Sequence, residues 1–133
     1  MIVLIRRFRF RDELTEDEKA ETLRLIRRTV TLGSARFGIV GQCLGDRTDG
    51  CTHAYSTGFD DLAALETYLY DPVHLAGDPD IVPHYAKLVL GPDVSDDPDP
   101  DLAAKIMAIH DRKLAAYPDY AELMAGIPEV RFL

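Results

Sequence analysis

Apolar and polar positions alternate through the first ten residues. One set holds Ile2, Leu4, Arg6, Phe8 and Phe10; the other holds Val3, Ile5, Arg7 and Arg9. Alternation with period two predicts a strand, and an apolar start on both faces predicts burial on both sides in its first half. Arg6 is the odd member of the more apolar face. Asp12-Glu13 breaks the pattern. Thr15 and Glu18 then form a capping box, in which each side chain satisfies a free amide at a helix start. The helix is expected over residues 16–31, with Leu23, Ile26 and Val30 on one face. Arg24, Arg27 and Arg28 fall in its later turns, where cations complement the helix dipole, and Gly33 ends it.

A second strand is expected over residues 36–44, a turn over 45–50 and a third strand over 51–57. The third strand places His53, Tyr55 and Thr57 on one face. Asp60 or Asp61 caps a second helix carrying Leu62, Leu65 and Leu69, which stops at Pro72 because proline cannot continue it. Residues 75–83 hold two prolines and a glycine and are expected to form a loop. Residues 84–90 read as a fourth strand, closed by Gly91-Pro92. The order strand, helix, strand, strand, helix, strand predicts an α+β, ferredoxin-like fold: a four-stranded antiparallel sheet with both helices on one face. The uncovered face calls for a partner, and a second copy of the chain, making a homodimer, is the simplest.

From Pro92 the composition shifts. Asp93, Asp96, Asp97, Asp99 and Asp101, with Pro98 and Pro100, make an acidic linker. Asp99 as cap and Pro100 at the first helical position start a third helix, with Ala103, Met107, His110, Leu114 and Tyr117 as its apolar stripe. A short helix over 120–124 and a terminal strand over 129–133 follow. The chain thus divides into a domain of residues 1–92 and an extension of residues 93–133 that packs on it.

With 133 residues there is room for one core. A net charge of −8 argues against nucleic acid as the partner. The basic run Arg6-Arg7-Phe8-Arg9-Phe10-Arg11 and the cluster Arg24, Arg27, Arg28 read as solvated faces. Cys43 and Cys51 fit no zinc or redox motif, and a reducing cytoplasmic setting is expected. No apolar run is long enough to cross a bilayer. None of the four histidines has ligand spacing with a carboxylate or cysteine, so no metal is expected.

Candidate chemistry gathers at the end of the second helix. Tyr68 lies on its last turn and His74 just past it, where a phenol and an imidazole serve as hydrogen-bond donor and base. Alone, this spacing equally fits a core tyrosine and a surface histidine. His53 and Tyr55 share an inward face, and His84 approaches the same space from the fourth strand. His110 belongs to an apolar stripe and reads as packing.

Four stretches carry a resemblance: Asp12-Glu13-Leu14-Thr15-Glu16, Gly50-Cys51-Thr52-His53, Tyr68-Leu69-Tyr70-Asp71-Pro72-Val73-His74 and Tyr85-Ala86-Lys87-Leu88. Over residues 1–92 the chain resembles the stress-responsive dimeric α+β barrel (Dabb) family, and within it a plant polyketide cyclase. The resemblance implies a dimeric barrel, His74 as base, Tyr68 as its partner and His53 in the same pocket. It departs where the cyclase has a histidine on its first strand and a tyrosine on its first helix; Leu4 and Ile26 stand there. The implied function is a cofactor-independent cyclase or lyase, of aldol type, acting on a small polyketide-like or other carbonyl substrate. The alternatives are a non-catalytic dimeric stress or ligand-binding protein and a cofactor-free monooxygenase of the same fold. Arg6, on the inward face, is expected to reach solvent at the barrel mouth or meet an anion, such as a substrate carboxylate or enolate; a bulge turning it outward is the other outcome.

Overall fold

The computed structural model describes residues 1–133. Strand β1 (Ile2–Phe10) forms where alternation predicts it and sits at the centre of the sheet. Helix α1 (Glu16–Val30) starts on the Thr15/Glu18 capping box, with both reciprocal bonds made. Strands β2 (Phe37–Gln42) and β3 (His53–Phe59) form an antiparallel pair, and β3 also pairs with β1. Helix α2 (Leu62–Leu69) is capped by the Asp61 side chain on the Ala64 amide. Strand β4 (Tyr85–Leu90) flanks β1 on its other side. The resulting order β2-β3-β1-β4 is the ferredoxin-like arrangement.

The expected loop over residues 75–83 is largely helix. Helix α3 runs Pro72–Ile81, capped by the Asp71 carboxylate on the Val73 amide, with Pro72 in its first turn. That cap with proline at the first position starts a helix as effectively as it ends the previous one. Pro79 sits near the C-terminal end of α3, and Pro83 falls in the single 3-10 turn Val82–His84. His74 therefore belongs to a helix, and His84 to that turn and not to a strand.

Beyond β4 the extension joins the same sheet. The short β5 (Val94–Ser95) pairs with the start of β1, and β6 (Glu129–Phe132) adds parallel to β4. Helix α4 (Leu102–Ala116) packs near α2, and α5 (Pro118–Ala125) near α3. The buried face of α4 is Leu102, Ile106, Ile109 and Lys113, one position out of phase with the expected stripe; Ala103 and Met107 face outward. Asp101, not Asp99, is the capping position, and it makes no side-chain cap bond.

The helices cover one face of the sheet. Ile2, Leu4, Arg6, Phe8 and Phe10 are all buried there, against Ile26, Val30, Leu65, Tyr68 and Leu69. On the opposite face the register aligns Phe37, Gly58 and Val3 in one row and Ile39, Ser56 and Ile5 in the next. Phe37 and Ile39 are 43% and 66% exposed. Exposed Phe37 and Ile39, beside half-buried Val3 and Ile5, form an apolar surface suited to burial against a partner.

Candidate functional site

The β1 register shift falls between Arg9 and Phe10, so Arg6 keeps its inward direction. Arg6 is 5% exposed and does meet an anion, but one from its own chain. Its Nη1 donates to Asp93 Oδ1 at 2.7 Å and to the Ile5 carbonyl at 2.9 Å. Asp93 also accepts from the Ile5 amide. The acidic linker thus places a carboxylate where the buried guanidinium needs one.

Arg6 borders a cavity of about 80 Å³ between the sheet and the helices. The sheet contributes Leu4, Tyr55 and Thr57, α2 contributes Tyr68, and α3 contributes His74 and Asp78. The extension contributes His110 from α4 and Tyr120 from α5. Tyr68 and His74 meet edge to face, with ring centroids 4.7 Å apart. This contact spans the helix break: Asp71 and Pro72 turn the chain so that α3 carries His74 back against α2.

His74 is held from its Nδ1 side. Asp78, one turn along α3, brings Oδ1 to 3.7 Å from Nδ1. Lys113 of α4 brings Nζ to 3.3 Å from the same nitrogen and donates to Asp78 Oδ2 at 3.0 Å. Its ammonium also lies 3.9 Å from the centre of the Tyr120 ring. Lys113 has no exposed surface, and Asp78 and Tyr120 are what make burial of its charge tolerable. Burial pushes the His74 pKa down; contact with Asp78 opposes this, and the Lys113 charge reinforces it. Burial also pushes the Tyr55, Tyr68 and Tyr85 phenols up, which keeps their protons on.

Of the six residues singled out by sequence, Arg6, Tyr55, Tyr68 and His74 line this cavity. His53 does not. Its ring stacks on Phe8 and meets Phe10 edge-on, and its Nδ1 pairs with the Thr52 hydroxyl. His84 is also elsewhere, with Nδ1 2.7 Å from the Thr22 hydroxyl on α1. Asp78, Lys113 and Tyr120 were not legible as site residues. Asp78 was hidden in a segment read as a loop, and Lys113 by a helix phase that faced it outward; the spacing of His74 and Asp78, four residues apart, was the available signal.

The family model for the stress responsive A/B barrel domain matches residues 2–96. The chain belongs to this family. No curated protein matches it. Among solved structures it is similar to a hydroxynitrile lyase from Passiflora edulis, at 21% identity and a TM-score of 0.63, covering 72% of this chain and 94% of the other. A protein of Arabidopsis thaliana is similar at 16% identity and a TM-score of 0.64, covering 73% and 96%. A dimeric ferredoxin-like protein of unknown function from Thermobifida fusca is similar at 21% identity and a TM-score of 0.61, covering 71% and 89%. At these identities the likeness establishes the fold alone. The match ends at residue 96, so α4, α5 and β6, with His110, Lys113 and Tyr120, lie outside the family domain.

Proposed function

We propose that this A/B barrel protein is a cofactor-independent acid–base enzyme of the lyase or cyclase class that acts on a small carbonyl compound as a homodimer. The observation that carries this reading is the meeting of Tyr68 and His74 at a buried cavity, with Asp78 behind the imidazole. A buried neutral histidine is a competent base near neutral pH, and a protonated phenol beside it is a competent donor.

In this reading His74 Nε2 takes a proton from the carbon next to a carbonyl. The bonding pair becomes the enolate, whose oxygen accepts from the Tyr68 hydroxyl. The new imidazolium is held through Nδ1–H by Asp78 once the Lys113 ammonium, which rests 3.3 Å from Nδ1, gives up that contact and keeps the other Asp78 oxygen. Hydrogen bonds of this kind are commonly long without substrate and tighten when it binds, which accommodates the 3.7 Å separation. The cavity charges are already paired, Arg6 with Asp93 and Asp78 with Lys113. An uncharged carbonyl substrate therefore fits the lining better than a carboxylate, while the spare donors of Arg6 remain available to an oxygen on which charge develops.

The test is exchange of the α-protons of 2-butanone in deuterium oxide, followed by proton NMR. The protein should accelerate exchange, and His74→Ala should reduce the acceleration roughly 100-fold or more, within the usual span for removal of a general base. Tyr68→Phe should reduce it about 100-fold through loss of the enolate donor. Equal exchange rates with wild type and His74→Ala would refute the assignment.

A further inference from the structure

A second and larger cavity, of about 390 Å³, adjoins the first. It is walled by the linker after β4, by α4 and by Phe132 and Leu133, and closed on the sheet side by Ile2, Arg6 and Leu90. Its inner wall is shared with the first cavity, since Arg6, Leu90 and His110 line both. Its rim is apolar and open: Val94, Met107, Phe132 and Leu133 border it and are 58%, 41%, 57% and 64% exposed. Outward exposure of Met107, unexpected from the helix pattern, is explained if that side of α4 lines a binding chamber.

Polar groups of two residues stand free at the shared wall. Arg6 makes its bonds through Nη1, leaving Nε and Nη2 without protein partners. His110 Nε2 is buried and has no hydrogen-bond partner. A buried polar atom without a partner costs stability and is retained where a ligand or water completes it. The inner cavity, at about 80 Å³, is far below the roughly 300–1,000 Å³ of ordinary ligand sites. A ligand of more than a few heavy atoms that reaches His74 must extend past this wall.

We propose that the two cavities form one bipartite site, in which the outer chamber binds the apolar chain of an uncharged carbonyl compound and Arg6 and His110 donate to its oxygen at the junction. The ligand class follows from charge. Arg6 is neutralised by Asp93, and Asp99 is held by Lys105, so the wall offers donors without net positive charge. This inference deepens the carbonyl reading but is tested by binding alone, so absence of proton exchange at His74 leaves its outcome untouched.

The experiment titrates the full chain with 2-pentanone through 2-nonanone, following amide shifts by NMR. Affinity should rise about fourfold for each added methylene that enters the chamber. Ala103→Trp or Met107→Trp, both on the exposed side of α4, should abolish that dependence on chain length. His110→Phe should weaken 2-octanone roughly twofold to tenfold, as expected for one lost hydrogen bond. Affinity that stays flat with chain length, or tryptophan variants that bind like wild type, would overturn the proposed chamber. Octanoate binding more tightly than 2-octanone would overturn the uncharged class, and unchanged binding by His110→Phe would overturn the junction.

Discussion

Burial acts in the same direction on both histidines that line the inner cavity. The pKa of His110 is lowered to about 4, first by desolvation and then by the neighbouring Arg6 charge. An unfolded histidine titrates near 6.5, so between about pH 6.5 and pH 4 the unfolded chain binds a proton that the folded chain refuses. Stability is fully present above this window and falls as the pH drops through it, by roughly 3 kcal/mol at most from this residue. Urea denaturation at pH 7 and pH 4.5 should therefore show a loss that shrinks in His110→Phe; an identical loss in the variant would contradict the burial argument. His74 is also shifted down, so the acid limb of α-proton exchange should lie below the ordinary histidine range. The role of Arg6 was half legible. Alternation put it inside, but its partner, 87 positions away, lay in a linker whose acidity read as solvation.

At the scale of elements, local chemistry was legible wherever one signal dominated. β1 and the α1 capping box follow from alternation and a four-residue motif. α3 did not, because glycine and two prolines outweighed a cap whose carboxylate works only once Pro72 is in helical geometry. The phase of α4 was also illegible. Two apolar stripes run along it, and the one that wins buries Ile106 and Ile109 and brings Lys113 to Asp78. Ile106→Ala should cost about 2–4 kcal/mol in denaturant unfolding if this phase is right, and near zero if Met107 faced the core instead. The contact of α1 with β2 depends on Gly38: a Cβ there would collide with the Val30 carbonyl oxygen, a backbone atom that cannot swing away. Gly38→Ala should lower stability by roughly 1–3 kcal/mol.

The whole molecule combines a family domain with an extension that lines the domain's inner cavity through His110 and Tyr120. The sheet's outer face, with Phe37 and Ile39 exposed, is the surface assigned to the second copy. Light scattering at micromolar concentration should give a dimer for the wild type and a monomer for Ile39→Glu; a wild-type monomer would contradict that assignment. The central claim concerns the join between domain and extension, where Asp78 and Lys113 compete for His74 Nδ1. A base needs the proton on Nδ1 and the lone pair on Nε2, whereas donation from Lys113 into Nδ1 would put the proton on Nε2. Nitrogen-15 NMR of the His74 ring across pH, in wild type and Lys113→Met, distinguishes the two arrangements. The account predicts a neutral ring at pH 7 with the proton on Nδ1, and a pKa that rises in Lys113→Met as a positive neighbour is removed. A proton on Nε2, or a pKa indifferent to Lys113, would contradict it.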